Sequence, residues 1–78
     1  PAVVVVGRLS AAQAVALVAT HLPAEQAEVV LLRVVGGLDV AQVAAVLGRT
    51  AGWVRVNQHR ALQRLAAVVA PDSATAGL

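Results

Sequence analysis

The sequence predicts an all-α fold of four helices, the last two forming a C-terminal helix-turn-helix. Three observations predict it. Caps and stops recur at helix-length intervals, with Ser10, Asp39 and Thr50 as starts and Gly36-Gly37, Gly48 and Pro71 as stops. Between them, apolar residues return at steps of three and four. The composition, 59% hydrophobic and 13% charged over 78 residues, suits one small domain with a valine, leucine and alanine core. It excludes a disordered chain, which needs low hydrophobicity and high charge.

The elements follow in order. Residues 1–9 begin PAVVVVGR, a β-branched run broken by Gly7. We expect an extended arm or the end of a linker, since one strand has no partner in a helical domain. The folded domain is expected over 10–70. Ser10 and Gln13 have capping-box spacing, which predicts a first helix from about 11 to 21 with Ala14, Leu17 and Val18 on its apolar side. Pro23 is expected at the first position of a second helix, with Glu25 and Glu28 near the positive end of its dipole. Val29, Leu32 and Val35 form its stripe, broadened by Val30 and Leu31, and Gly36-Gly37 stop it. Asp39 caps a short helix, Val40 to Leu47, that ends on Gly48 in the left-handed conformation. Thr50 caps a fourth helix from Ala51 to about Val69, which Pro71 ends. Residues 71–78 are expected to be a disordered tail. The chain opens with Pro1 in place of Met, so we expect a piece of a longer protein.

Several functions are excluded at this level. The mean hydropathy is +0.79, yet every apolar run is cut far short of the roughly 20 residues a spanning helix needs. Ser10, Gln13, Thr20 and His21 interrupt the longest. Val3–Val6 is too short for a signal-peptide core and follows no basic region. With no cysteine, disulfides and thiolate metal sites are out, and a cytoplasmic setting is expected. His59 has no second ligand at metal spacing. Neither a nucleophile–base set, nor paired carboxylates, nor a phosphate loop is present. We expect no catalytic residue, no metal, no cofactor and no enzyme.

Charge is uneven. Residues 1–39 hold Arg8 and Arg33 against Glu25, Glu28 and Asp39, whereas residues 40–78 hold Arg49, Arg55, Arg60 and Arg64 against Asp72 alone. A basic end on a near-neutral body suits a polyanion, although a solvated basic helix face would look the same. The stretch TAGWVRVNQHRALQRL, residues 50–65, concentrates this chemistry. It contains the sole tryptophan, one of two histidines and three arginines, and no acid. A short capped helix, a three-residue turn and a longer basic helix follow the plan of a DNA-binding helix-turn-helix.

The run from Leu22 to Leu65 resembles region four of bacterial sigma factors of the extracytoplasmic-function class. The resemblance rests on Leu22-Pro23, Leu32-Arg33, Gly37-Leu38, Val43-Ala44, Leu47-Gly48, Thr50, Gly52, Val54-Arg55 and His59-Arg60-Ala61. It implies a winged-helix-like DNA-binding class without the wing, recognising the −35 promoter element in transcription initiation. It also implies two protein partners: RNA polymerase core, through the flap of its β subunit, and an anti-sigma factor that masks the DNA-facing side. Effector domains of the LuxR type share the plan, but their histidine usually follows Val-Lys by one residue. Here His59 stands four after Arg55, as in the sigma group. Both a LuxR-type DNA-binding domain and a helical interaction module that never touches DNA remain alternatives. The chain departs from the sigma pattern at Trp53, where threonine is usual, at Val56 and Asn57, and at Gln58, where a leucine usually packs.

A helical wheel sorts the fourth helix. Val54, Ala61, Leu62 and Leu65, with Gln58, take the core side, and Gly52, Val56 and Gln63 lie opposite. His59, Arg60 and Trp53 flank them, with Arg55 and Asn57 on the two edges. We therefore expect Trp53 to point away from the core, meeting either DNA or else a partner protein or a neighbouring helix. The expected base readers are Arg55 (guanine), Val56 (a thymine methyl) and Asn57 (adenine). Arg49, Arg60 and Arg64 are expected on phosphate, with Thr50 and His59 as polar contacts. With Arg55 also on phosphate, four neutralised phosphates would give a slope of log affinity on log salt of about −3.6, weak for a lone domain. Val29, Val30, Val34 and Val35 spread further round the second helix than the core is expected to bury. Val30, Val34 and Val35, with Trp53, are the expected partner-binding surface.

Overall fold

The computed structural model describes residues 10–69. The expected arm over 1–9 and tail over 71–78 lie outside these residues. Four helices make up the fold: α1 Ala11–His21, α2 Ala24–Val34, α3 Val40–Leu47 and α4 Ala51–Val69. No described helix is long and apolar enough to cross a membrane.

Side-chain caps set most of the boundaries. At α1 the Gln13 amide donates to Ser10 Oγ (3.2 Å) and the Ser10 amide to Gln13 Oε1 (3.0 Å), closing the box. A second box, Asp39 with Gln42, opens α3 at 2.8 and 2.9 Å. Its acceptor at Asp39 was expected; the reciprocal arm from Gln42 was legible by the same three-residue spacing and went unread. Pro23 stands one residue earlier than expected, as the N-cap of α2 with ψ 153°. Its ring fixes only φ, so an extended ψ is open to it.

Two helix ends depend on glycine. After α2, the Val35 and Gly36 amides both donate to the Leu31 carbonyl and Leu38 N–H reaches Leu32. A Cβ on Gly36 would stand 2.8 Å from the Leu32 carbonyl oxygen, so only glycine closes this turn. Gly48 ends α3 in the left-handed region, φ 66°, and the Arg49 amide also reaches back to the Ala44 carbonyl.

The apolar side chains form two clusters. Ala14, Val18, Leu22, Val30, Ala61 and Leu65 join α1, α2 and the C-terminal half of α4. Val29, Val43, Ala44 and Val54 join α2, α3 and the N-terminal half of α4, with Leu32, Leu38, Leu47 and Trp53 against them. The neighbours Val29 and Val30 enter different clusters, and each is buried to within a percent. This corrects the partner-binding expectation for Val30, a core residue. Val34 packs partly against the first cluster, and Val35 remains 46% exposed. The surplus inferred from sequence counted a broad stripe against one core, whereas α2 lies between two. Full burial of a valine or leucine contributes about 1.5–3 kcal/mol, so this split is a large part of what holds α2 and α4 together.

Arg33 ties the parts together. Its Nε donates to Gln58 Oε1 (2.9 Å) and its Nη1 to the Leu38 carbonyl (2.6 Å). One half-buried side chain thus bridges α2, the glycine turn and α4. A small cavity of about 60 Å³ beside it is lined by Val30, Arg33, Val34, Gln58 and Leu62.

Candidate nucleic-acid interface

The α3–α4 turn begins with Gly48, whose positive φ swings the chain out of α3 in three residues. Thr50 then caps α4, its Oγ1 accepting the Trp53 amide at 3.0 Å. That bond occupies an acceptor site and leaves the hydroxyl proton available. Trp53 N and Val54 N return to Thr50 (3.0 and 3.1 Å). The amides ahead of them in the first turn face outward, as at any helix start, toward negative charge.

Arg49 is placed by two neighbours. Its Nη2 meets Glu25 Oε1 at 3.2 Å, and its guanidinium lies 4.6 Å from the Trp53 ring centroid. The side chains of Arg49 and Glu25 are 46% and 60% exposed. Such a pair contributes at most about 1 kcal/mol, so phosphate can displace it. The guanidinium has five N–H donors, and those not used on Glu25 remain for an external acceptor.

Trp53 is where the wheel fails. The ring does not point away from the core; it is half-buried against the second cluster. A wheel assumes one core direction for a whole helix, but α4 meets α3 and Val29 at its start and α1 further on. A large ring on the flank at the start therefore folds onto the second cluster, and only its outer part is open to Arg49 and solvent. Asn57 is affected in turn. It is half-buried, and its Nδ2 donates to the Trp53 carbonyl at 2.9 Å. Bidentate pairing with adenine uses Oδ1 and one N–H of the amide; the bond to Trp53 occupies the other N–H and fixes the side chain's orientation.

The remaining expected residues point outward. Arg55, Val56, His59, Arg60 and Arg64 are all exposed, Val56 by 47%. Among the described residues none of the three arginines makes a side-chain hydrogen bond or ion pair. No acid lies on α4, so the arginine charges on this face are unopposed along the helix. No group of three His, Cys, Asp or Glu among the described residues could hold a metal ion.

Two contacts at this site were not read from the sequence. Glu25 was assigned to the α2 dipole, and its reach to Arg49 depends on how α2 crosses the turn. The Arg33–Gln58 bond, which explains the amide at a core position of α4, spans 25 residues and has no local signature.

Comparison with known proteins agrees with this geometry. The family described as Sigma-70, region 4 matches residues 7–65. The chain is 61% identical over 44 residues to the ECF RNA polymerase sigma factor SigD of Mycobacterium tuberculosis (strain ATCC 25618 / H37Rv), covering 56% of this chain and 21% of that protein. It is 48% identical over 48 residues to the ECF RNA polymerase sigma factor ShbA of Streptomyces griseus, covering 62% of this chain and 25% of that protein. The chain thus spans about a fifth to a quarter of the length of these curated relatives. No solved structure matches it significantly. With a family match over most of its length and a helix-turn-helix whose outer face carries only positive charges, the chain belongs to the sigma-70 region 4 family.

Proposed function

We infer that this chain recognises the −35 promoter element during transcription initiation, with α4 in the major groove. The observation that carries the reading is the division of α4 in a region 4 chain. Val54, Ala61 and Leu65 are fully buried, while Arg55, Arg60 and Arg64 stand free on an acid-free outer face. Arg55, Val56 and Asn57 are the proposed base readers, Asn57 through Oδ1 and the N–H not given to the Trp53 carbonyl. Arg60 and Arg64 hold phosphate, joined by Arg49 when it exchanges Glu25 for DNA. Thr50 and His59 supply polar contacts, and Trp53 stands at the backbone edge. RNA polymerase core, through the β-subunit flap, is the proposed protein partner, with an anti-sigma factor masking the DNA side. Val34, Val35 and the exposed part of Trp53 are the apolar contact points for these proteins.

A mobility-shift titration over a range of salt tests the reading. The two phosphates held by Arg60 and Arg64 give a slope of log affinity on log salt of about −1.8, and Arg49 adds about −0.9 when it leaves Glu25. Arg55→Ala and Asn57→Ala should each weaken binding to the preferred duplex about tenfold or more and relax its base preference. If neither changes binding to any promoter-like duplex, the reader assignment is wrong. If the chain binds no duplex even within an RNA polymerase complex, α4 is a protein-docking surface.

A further inference from the structure

Gly52 lies in the first turn of α4 and has no reason within the fold to be glycine. The positive-φ glycines among the described residues are Gly37 and Gly48, so Gly52 is in ordinary helical conformation. A Cβ built on it meets nothing nearer than Thr50 Oγ1, at 4.0 Å. At Gly36, by contrast, the Cβ would strike a backbone oxygen at 2.8 Å. Alanine would fit at Gly52 and favour the helix, because glycine within a helix lowers the folding equilibrium about two- to fivefold relative to alanine. The bare position is exposed. It shares a helix face with Val56, one turn on, itself 47% exposed, and it adjoins Trp53, on which Arg49 stacks.

We propose that Gly52 is a clearance position: its missing side chain lets the sugar-phosphate backbone of duplex DNA come into van der Waals contact with the first turn of α4. A β-carbon there would hold the duplex away from the turn and shift Val56 and Arg55 relative to the base edges. The stability given up in the free chain is then the condition for a close docked state. This inference rests on the reading of α4 as the DNA-facing helix and adds to it a residue that makes room where the others make contacts.

The test sets stability against affinity in the full 78-residue chain. Thermal unfolding and titration with the preferred promoter duplex are measured for wild type, Gly52→Ala and Gly52→Leu. Trp53, the only tryptophan and the next residue, supplies a fluorescence signal for the approach of DNA. Gly52→Ala should raise the midpoint by about 3 °C and weaken DNA binding about tenfold. Gly52→Leu should remain folded and bind more weakly still. Binding by either variant as tight as wild type overturns the proposal, and so does a weakening that only follows a lost folded fraction. If wild type binds and Arg55→Ala weakens it while both Gly52 variants bind normally, the clearance role fails and the DNA-facing reading stands. If wild type binds no duplex even within an RNA polymerase complex, both fail.

Discussion

Arg33 joins two helices and the turn after the first of them through one side chain. Its guanidinium supplies Gln58 Oε1 and the Leu38 carbonyl together, both in partly buried surroundings where a lost donor leaves an acceptor unpaired. Arg33→Met should cost about 1–3 kcal/mol in urea unfolding. Gln58→Leu, which removes the acceptor and restores an apolar side chain to the core side of α4, should cost less. The two effects should fail to add by at least about 0.5 kcal/mol in a double-mutant cycle; strict additivity would show that the bond is incidental. The wheel found that Gln58 occupies a core position. It could not supply the reason, because the partner comes from another helix. Trp53 shows the same boundary: its exposure depends on which neighbours the helix meets at that point, information that periodicity does not contain.

At the scale of the element, local chemistry decides the boundaries, and these were the most legible part of the fold. Capping satisfies donors within three residues of themselves, so Ser10, Asp39 and Thr50 could be read from spacing alone. The end of α3 is equally local. Gly48→Ala should destabilise the domain by about 1–2 kcal/mol, because a Cβ is disfavoured at φ 66° even with open space around it. The measurement is the thermal midpoint, expected to fall here and to rise for Gly52→Ala. A rise in both would mean that the left-handed cap contributes little. Pro23 moved by one position for a simple reason: proline restricts φ but leaves ψ to the chain before and after it.

The whole molecule is organised around α4, which packs against each of the other three helices and takes part in both clusters. That arrangement was not legible, because nothing in a stripe of valines says how many cores share it; Val30 was misassigned for that reason. Leu65, fully buried, lies in the cluster with α1, and Trp53 adjoins the other. Leu65→Ala should cost about 3 kcal/mol. It should lower the midpoint seen by Trp53 fluorescence as much as that seen by far-ultraviolet circular dichroism, since one helix transmits the loss to both clusters. Separate transitions for the two probes would mean that the clusters unfold independently.

The division of α4 between an inner seam and an outer row has a consequence for how such a domain acquires a new target. Val54, Ala61 and Leu65 maintain the scaffold, while Arg55, Val56, His59 and Arg60 hold none of it up. Under the reading proposed above, Arg55 and Val56 are replaceable letters on a fixed frame. Exchanging them would rewrite the preferred sequence with the packing of the frame unchanged.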